Sequence, residues 1–130
     1  MPLKPRPIVM IGAGGIVRDA HLPAYEKAGF PVAGLFDVDS ERAARVASEF
    51  GIQTVYRGLD RLLLVAPSDA VFDVAVPPDV IVEILEHLPA GAPVLIQKPM
   101  GRNAREAAQI ASVCRRRGLV VAVKDRKSVV

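Results

Sequence analysis

Apolar residues along this chain fall into short continuous runs, separated by stretches with helical spacing. The runs cover residues 8–11, 32–36, 52–56, 70–76, 94–96 and 119–123, the third being short and weak. A run of four to six apolar residues bounded by Gly, Pro or Asp marks a strand covered on both faces, as in a parallel sheet. Residues 18–28 have helical spacing up to a stop at Gly29, with Pro23 predicting a kink or restart because it lacks an N–H. Asp39 stands as an N-cap before a helix over 40–50, with Ala43, Ala47 and Phe50 on one face and Gly51 just past its end. Residues 59–66 form an apolar, helical connection ending at Pro67. Residues 79–88 are amphipathic: Val80, Ile81, Ile84, Leu85 and Leu88 face inward, and Asp79, Glu83, Glu86 and His87 face outward. Asn103 and Glu106 have capping-box spacing and open a helix through Ile110 and Cys114 to Gly118. Strand and helix alternate throughout. The expected fold is therefore α/β: one doubly wound parallel sheet of about six strands over residues 7–123, with tails at 1–6 and 124–130.

The passage from the first run into the first helix is Gly12-Ala13-Gly14-Gly15-Ile16-Val17. Glycine there permits a tight turn and lets backbone N–H groups approach a pyrophosphate at the positive end of the helix. Gly12 and Gly14 match the first two positions of the G-x-G-x-x-G pattern, but Val17 stands at the third and implies a wider helix–strand separation. Asp37 closes the second run, where a carboxylate accepts hydrogen bonds from a ribose diol. Gly12, Gly14, Gly15, Ile16 and Asp37 are thus candidate dinucleotide-binding residues. Arg42 and Arg45 lie near Asp37 in sequence, suited to stack on an adenine or meet a 2′-phosphate. Asp37 would repel that phosphate, so NAD is expected rather than NADP. Pro77 and Lys98 follow the fourth and fifth runs, at the strand ends where such sheets bind ligands. His21, beside the glycine turn, is expected to be an ordinary polar helix-end residue, and His87 a solvated one.

Composition narrows the partners. At 130 residues and 51% hydrophobic, with no Trp and two Tyr, the core must be filled by Val, Ile, Leu and Ala. The single Cys114 excludes an internal disulfide and suits a reducing compartment. No apolar run is long enough to span a membrane, and residues 1–7 lack the apolar segment of a secretory signal, so a cytoplasmic protein is expected. The net charge of +3 is carried partly by Arg115-Arg116-Arg117, which ends a helix where cations complement its dipole. Neither nucleic acid, membrane nor metal is expected as a partner.

Taken in order, Gly12-Ala13-Gly14-Gly15-Ile16, His21-Leu22-Pro23-Ala24-Tyr25, Phe36-Asp37, Glu41-Arg42-Ala43, the helix into Gly91 and Gln97-Lys98-Pro99 resemble the N-terminal domain of the Gfo/Idh/MocA oxidoreductases. The resemblance covers about residues 7–123. It implies a domain that binds NAD or NADP, partnered by a C-terminal α/β domain that holds a sugar or polyol substrate. Lys98 matches the lysine of the family's Glu-Lys-Pro step, which implies a catalytic residue near the nicotinamide ribose and the reacting hydroxyl. A lysine so placed lowers a hydroxyl's pKa electrostatically. Three departures stand out. Gln97 replaces the usual Glu, Val80 stands where many members carry His, and residues 124–130 diverge from the family before its substrate domain begins. The expectation is a truncated or altered reading frame that yields a monomer. It would bind cofactor with little or no turnover and meet a small-molecule substrate only if a second domain is supplied. The alternative is a non-catalytic NAD-sensing regulatory domain, which leaves Gln97-Lys98-Pro99 without a purpose.

Overall fold

A computed structural model describes residues 6–97 and 101–124. Its five strands are β1 (Ile8–Ile11), β2 (Val32–Phe36), β3 (Val71–Val74), β4 (Pro93–Gln97) and β5 (Val120–Lys124), in the order β2-β1-β3-β4-β5. All adjacent pairs are parallel. The chain steps from β1 outward to β2, then returns to the opposite side of β1 for β3, β4 and β5. This reversal makes the sheet doubly wound and opens a crevice at the carboxyl ends of β1 and β3.

The run at 52–56 meets the free edge of β2 through one bridge, Val55 to Leu35. Leu35 N–H donates to Thr54 (3.1 Å) and Tyr56 N–H donates to Leu35 (2.9 Å). The expected third strand is thus a short sixth position at the sheet edge. Gln53 and Thr54 are exposed, which keeps it short. The Tyr56 ring is buried over Gly34: a Cβ on Gly34 would lie 2.4 Å from the ring.

The first helix is α1 (Leu22–Ala28), entered through a π-helical turn at Val17–His21. The helices that follow are α2 (Ser40–Phe50), α3 (Leu59–Val65), α4 (Pro78–His87) and α5 (Ala104–Arg117). Successive strand side chains point to opposite faces. One face places Ile8, Met10 and Leu35 beneath Val17, Leu22 and Tyr25 of the first helical segment and Ala43, Val46 and Ala47 of α2. The other places Val9, Ile11, Phe72, Val74, Val94 and Ile96 beneath Leu62, Ile81, Leu85, Ile110 and Val113. Each such aliphatic side chain contributes about 1.5–3 kcal/mol on full burial, so covering both faces dominates the stability of the sheet.

Helix ends follow the residues that mark them. Asp39 accepts the Arg42 N–H (3.1 Å), and Asn103 accepts the Glu106 N–H (2.9 Å). The capping box is half made, because the Glu106 carboxylate turns to the Arg102 N–H (2.6 Å) and guanidinium instead of the Asn103 N–H. Val80, expected inward, is 38% exposed at the start of α4. Pro23 has the predicted effect. The helix widens so that Leu22 N–H bonds the Val17 carbonyl five residues back, and Pro23 then sits in the first turn of α1, where a missing N–H is tolerated.

Gly34→Ala drives a methyl into the Tyr56 ring and is expected to destabilise the fold by about 1–3 kcal/mol, the range for overpacking. Urea denaturation reads the effect, and an unchanged midpoint would mean that the ring does not rest on Gly34.

Candidate dinucleotide site

The glycines of the turn do different work. Gly12 donates its N–H to Phe36 at the end of β2 (2.7 Å) and has φ of 116°. A Cβ there would lie 2.2 Å from the Ala75 carbonyl oxygen, so Gly12 is demanded by the protein's own packing. Gly14 is demanded by neither factor: its φ is not positive, and a Cβ there meets nothing within 4 Å. The helix begins at that residue, whose carbonyl accepts from Val17 N–H (3.1 Å) and Arg18 N–H (3.2 Å). Leading amides at a helix start have no partner within the helix. The structure thus combines unshielded amides, the positive end of a helix and space for a group to approach closely, which suits a pyrophosphate. Gly15 is exposed and Ile16 half-buried beside it. Val17 is fully buried against the sheet and the π-helical turn starts at it, so the third motif position belongs to the core and does not obstruct the crevice.

Asp37 is tied into the same turn. Its Oδ2 accepts the Ala13 N–H (2.7 Å) and its Oδ1 the Asp39 N–H (2.8 Å). Arg42 Nη2 spans both oxygens at 2.9 and 3.0 Å. These four contacts use both carboxylate oxygens fully. The Arg42 side chain is 42% exposed, while that of Asp37 is 5% exposed. Of these donors Arg42 is the one supplied by a side chain, and the one that can leave Asp37 without moving the backbone. Arg42 Nε is buried and unpaired among the described residues, so the guanidinium is incompletely satisfied where it stands. Pro77 is exposed after β3, at the entry to α4. Lys98 lies outside the described residues, one position past the end of β4.

A second constellation lies below this crevice, and sequence reasoning passed over it. Asp73 occupies the middle of β3, paired in register with Met10 and Leu95, and is 1% exposed. Its Oδ2 accepts the Tyr25 O–H (2.5 Å) and the Nδ1–H of His21 (2.9 Å). The other ring nitrogen of His21 lies 2.9 Å from Gln97 Oε1. His21 is therefore a buried, doubly engaged residue, 4% exposed, and not a polar helix end. The wide turn brings it inward together with Val17, four residues earlier. Burial, reinforced by the Asp73 charge, pushes the Tyr25 phenol well above the ordinary tyrosine range, so Tyr25 remains a proton donor to the carboxylate. A signal was present in the sequence. A carboxylate within an apolar run that is buried on both faces requires partners, because an isolated buried charge is costly. Among the described residues no cluster of three or more His, Cys, Asp or Glu is placed to hold a metal ion. No helix among them is long and apolar enough to cross a membrane.

Comparison with known proteins agrees with this geometry. Residues 6–125 match the Gfo/Idh/MocA family, described as an oxidoreductase family with an NAD-binding Rossmann fold. Among curated relatives, protein YMR315W of Saccharomyces cerevisiae is 29% identical over 128 residues, covering 95% of this chain and 36% of that protein. D-xylose 1-dehydrogenase (NADP(+)) 2 of Haloferax volcanii is 28% identical over 113 residues, covering 86% of this chain and 34% of that protein. Among solved structures, KijD10, a 3-ketoreductase from Actinomadura kijaniata in complex with TDP-benzene and NADP, superposes with a TM-score of 0.73 at 29% identity, covering 92% of this chain and 38% of that one. An oxidoreductase from Agrobacterium radiobacter in complex with NAD+, L-tartaric acid and magnesium shares the fold, with a TM-score of 0.78 at 22% identity, over 91% of this chain and 34% of that one. The chain spans about a third of the length of these relatives. With its glycine turn, its crevice at the reversal of strand order and a family match over nearly its whole length, this chain belongs to the Gfo/Idh/MocA oxidoreductase family as an NAD-binding Rossmann domain.

Proposed function

We propose that the domain takes a nicotinamide adenine dinucleotide across the end of β1, with its pyrophosphate on Gly14, Gly15 and Ile16. The adenosine half lies over the end of β2, where Asp37 meets the ribose after Arg42 swings away to cover the adenine. The nicotinamide half then extends over the exits of β3 and β4, past Pro77 toward Lys98. The observation that carries this reading is Gly14, which lacks a side chain although neither its backbone nor its protein neighbours require the lack. The cofactor supplies hydride exchange with a substrate carbon. Around it, this chain orients the two halves and excludes water beneath them through the buried β1–β3 floor. Lys98 orients the reacting hydroxyl and eases loss of its proton by lowering its pKa.

The substrate class we favour is a sugar or polyol. The relative named as a D-xylose dehydrogenase supports it. Turnover by these residues alone is expected to be minimal, since the relatives are about three times as long. NAD is the preferred cofactor. Asp37 is anchored by two backbone amides, so its charge stays at the ribose and opposes a 2′-phosphate.

Gly14→Ala is expected to leave unfolding stability within about 0.5 kcal/mol, because the added Cβ meets nothing within 4 Å. The same substitution is expected to weaken NADH binding at least about tenfold, or ~1.4 kcal/mol. Fluorescence titration beside a urea melt measures both. A variant that still binds NADH at full strength, or a parent chain that binds neither NADH nor NADPH, would overturn the reading. NADH is further expected to bind the parent chain about tenfold or more tighter than NADPH, with Asp37→Ala bringing the two within about threefold. Equal affinities in the parent chain would remove the assigned cofactor preference.

A further inference from the structure

We propose that His21 and Asp73 are positioning residues for the nicotinamide end of the site: a buried strut that fixes the Gln97 side chain at the carboxyl end of β4. The proposal rests on the dinucleotide reading above. Among the described residues the strut joins Tyr25, His21, Asp73 and Gln97. Tyr25 O–H and His21 Nδ1–H converge on one oxygen of Asp73, and the far side of the His21 ring reaches Gln97, which is half-buried at the last position of β4. Three elements are joined: the first helical segment, the central strand β3, and the carboxyl end of β4.

The chemistry of the strut explains its rigidity. A carboxylate is an acceptor only, so the Nδ1 of His21 must carry a proton toward Asp73. The opposite contact is then satisfied in either of two ways. The Gln97 amide turns its NH2 toward a neutral Nε2, or a doubly protonated ring donates to the Gln97 oxygen. Either arrangement holds the imidazole at both ends in a site with almost no solvent, where a hydrogen bond is stronger and a lost partner costs more. Val17 and Leu22, which flank His21 on the helical segment, are buried under the same sheet face.

The strut is placed to act on one half of the ligand. Pyrophosphate on Gly14 and adenosine over β2 leave the ends of β3 and β4 to the nicotinamide half. Among the described residues neither His21 nor Asp73 hydrogen-bonds the Asp37–Arg42 pair. A disturbance of the strut therefore shifts Gln97 at the end of β4 and leaves the adenosine half undisturbed. A displacement of ~1 Å at such a position is enough to lose much of an oriented interaction.

Calorimetric titration of the full chain with NADH and with ADP-ribose, which lacks the nicotinamide, separates the two halves. His21→Gln and Gln97→Met are each expected to weaken NADH about fivefold while ADP-ribose stays within about twofold. The double variant should lose no more than the larger single loss, because the two residues act as one unit. Additive losses, unchanged NADH affinity in both single variants, or parallel losses for both ligands in Gln97→Met would overturn the proposal. Should His21→Gln bind neither ligand, Asp73→Asn, which keeps an acceptor of the same shape, takes its place in the cycle under the same criteria. A parent chain that binds neither ligand would bring down the dinucleotide reading. A parent chain that binds both, with variants indistinguishable from it, would bring down the strut alone.

Discussion

The fold and its site depend on how the chain leaves β1. At that point it must pass between the ends of two flanking strands and still start a helix within a few residues. Gly12 solves this by closeness: its N–H reaches Phe36 on the β2 side, while its Cα faces the Ala75 carbonyl on the β3 side at a distance no Cβ would allow. Ala75 N–H in turn bonds Ile11, and Ala13 N–H is taken by Asp37. Three strand ends are thereby held within one turn. The helix that follows starts at Gly14, two residues past Gly12, with its amino end at the crevice. Position and electrostatics share one cause, since the constraint that packs the strands also aims the positive end of the helix.

How much of this was legible in the residues follows from how local each feature is. Continuous apolar runs identified the strands, because a strand covered on both faces has no other way to be written. Asp39, Gly51, Asn103 and Gly118 marked helix ends, because capping is a contact between near neighbours. The run at 52–56 was less legible. Its strength depends on an edge pairing and on Tyr56 finding the gap above Gly34, which are contacts across the chain. The site divides in the same manner. Gly12, Gly14 and Asp37 were visible as a pattern, but that Gly12 serves packing while Gly14 faces open space is a matter of three-dimensional surroundings. Val80 was assigned to the core by its spacing, yet it emerges exposed because it lies in the first turn of α4, above the rim of the sheet.

The buried strut was missed for an instructive reason. From the sequence, His21 reads as a polar helix-end residue beside the glycine turn. Its environment is set instead by the wide turn that Pro23 and Val17 impose on the helix. Asp73 carried the stronger signal, since a carboxylate at the centre of the central strand cannot be left unpaired. Its partners lie 48 and 52 positions away in the chain, so only the folded arrangement could name them. The buried charge also constrains the alternatives. Replacing any one member leaves the others with a lone donor or acceptor in an apolar layer, which is why such networks persist as a unit or not at all.

Gln97 gains its meaning from that arrangement. With Glu at this position, as in the resembling family, His21 would face a carboxylate on each side, and a single proton on the ring could satisfy one of them. An amide offers both a donor and an acceptor, so here the ring has a partner whichever way its own proton count stands. The substitution therefore removes one negative charge beside the Lys98 step without leaving the buried imidazole unpaired.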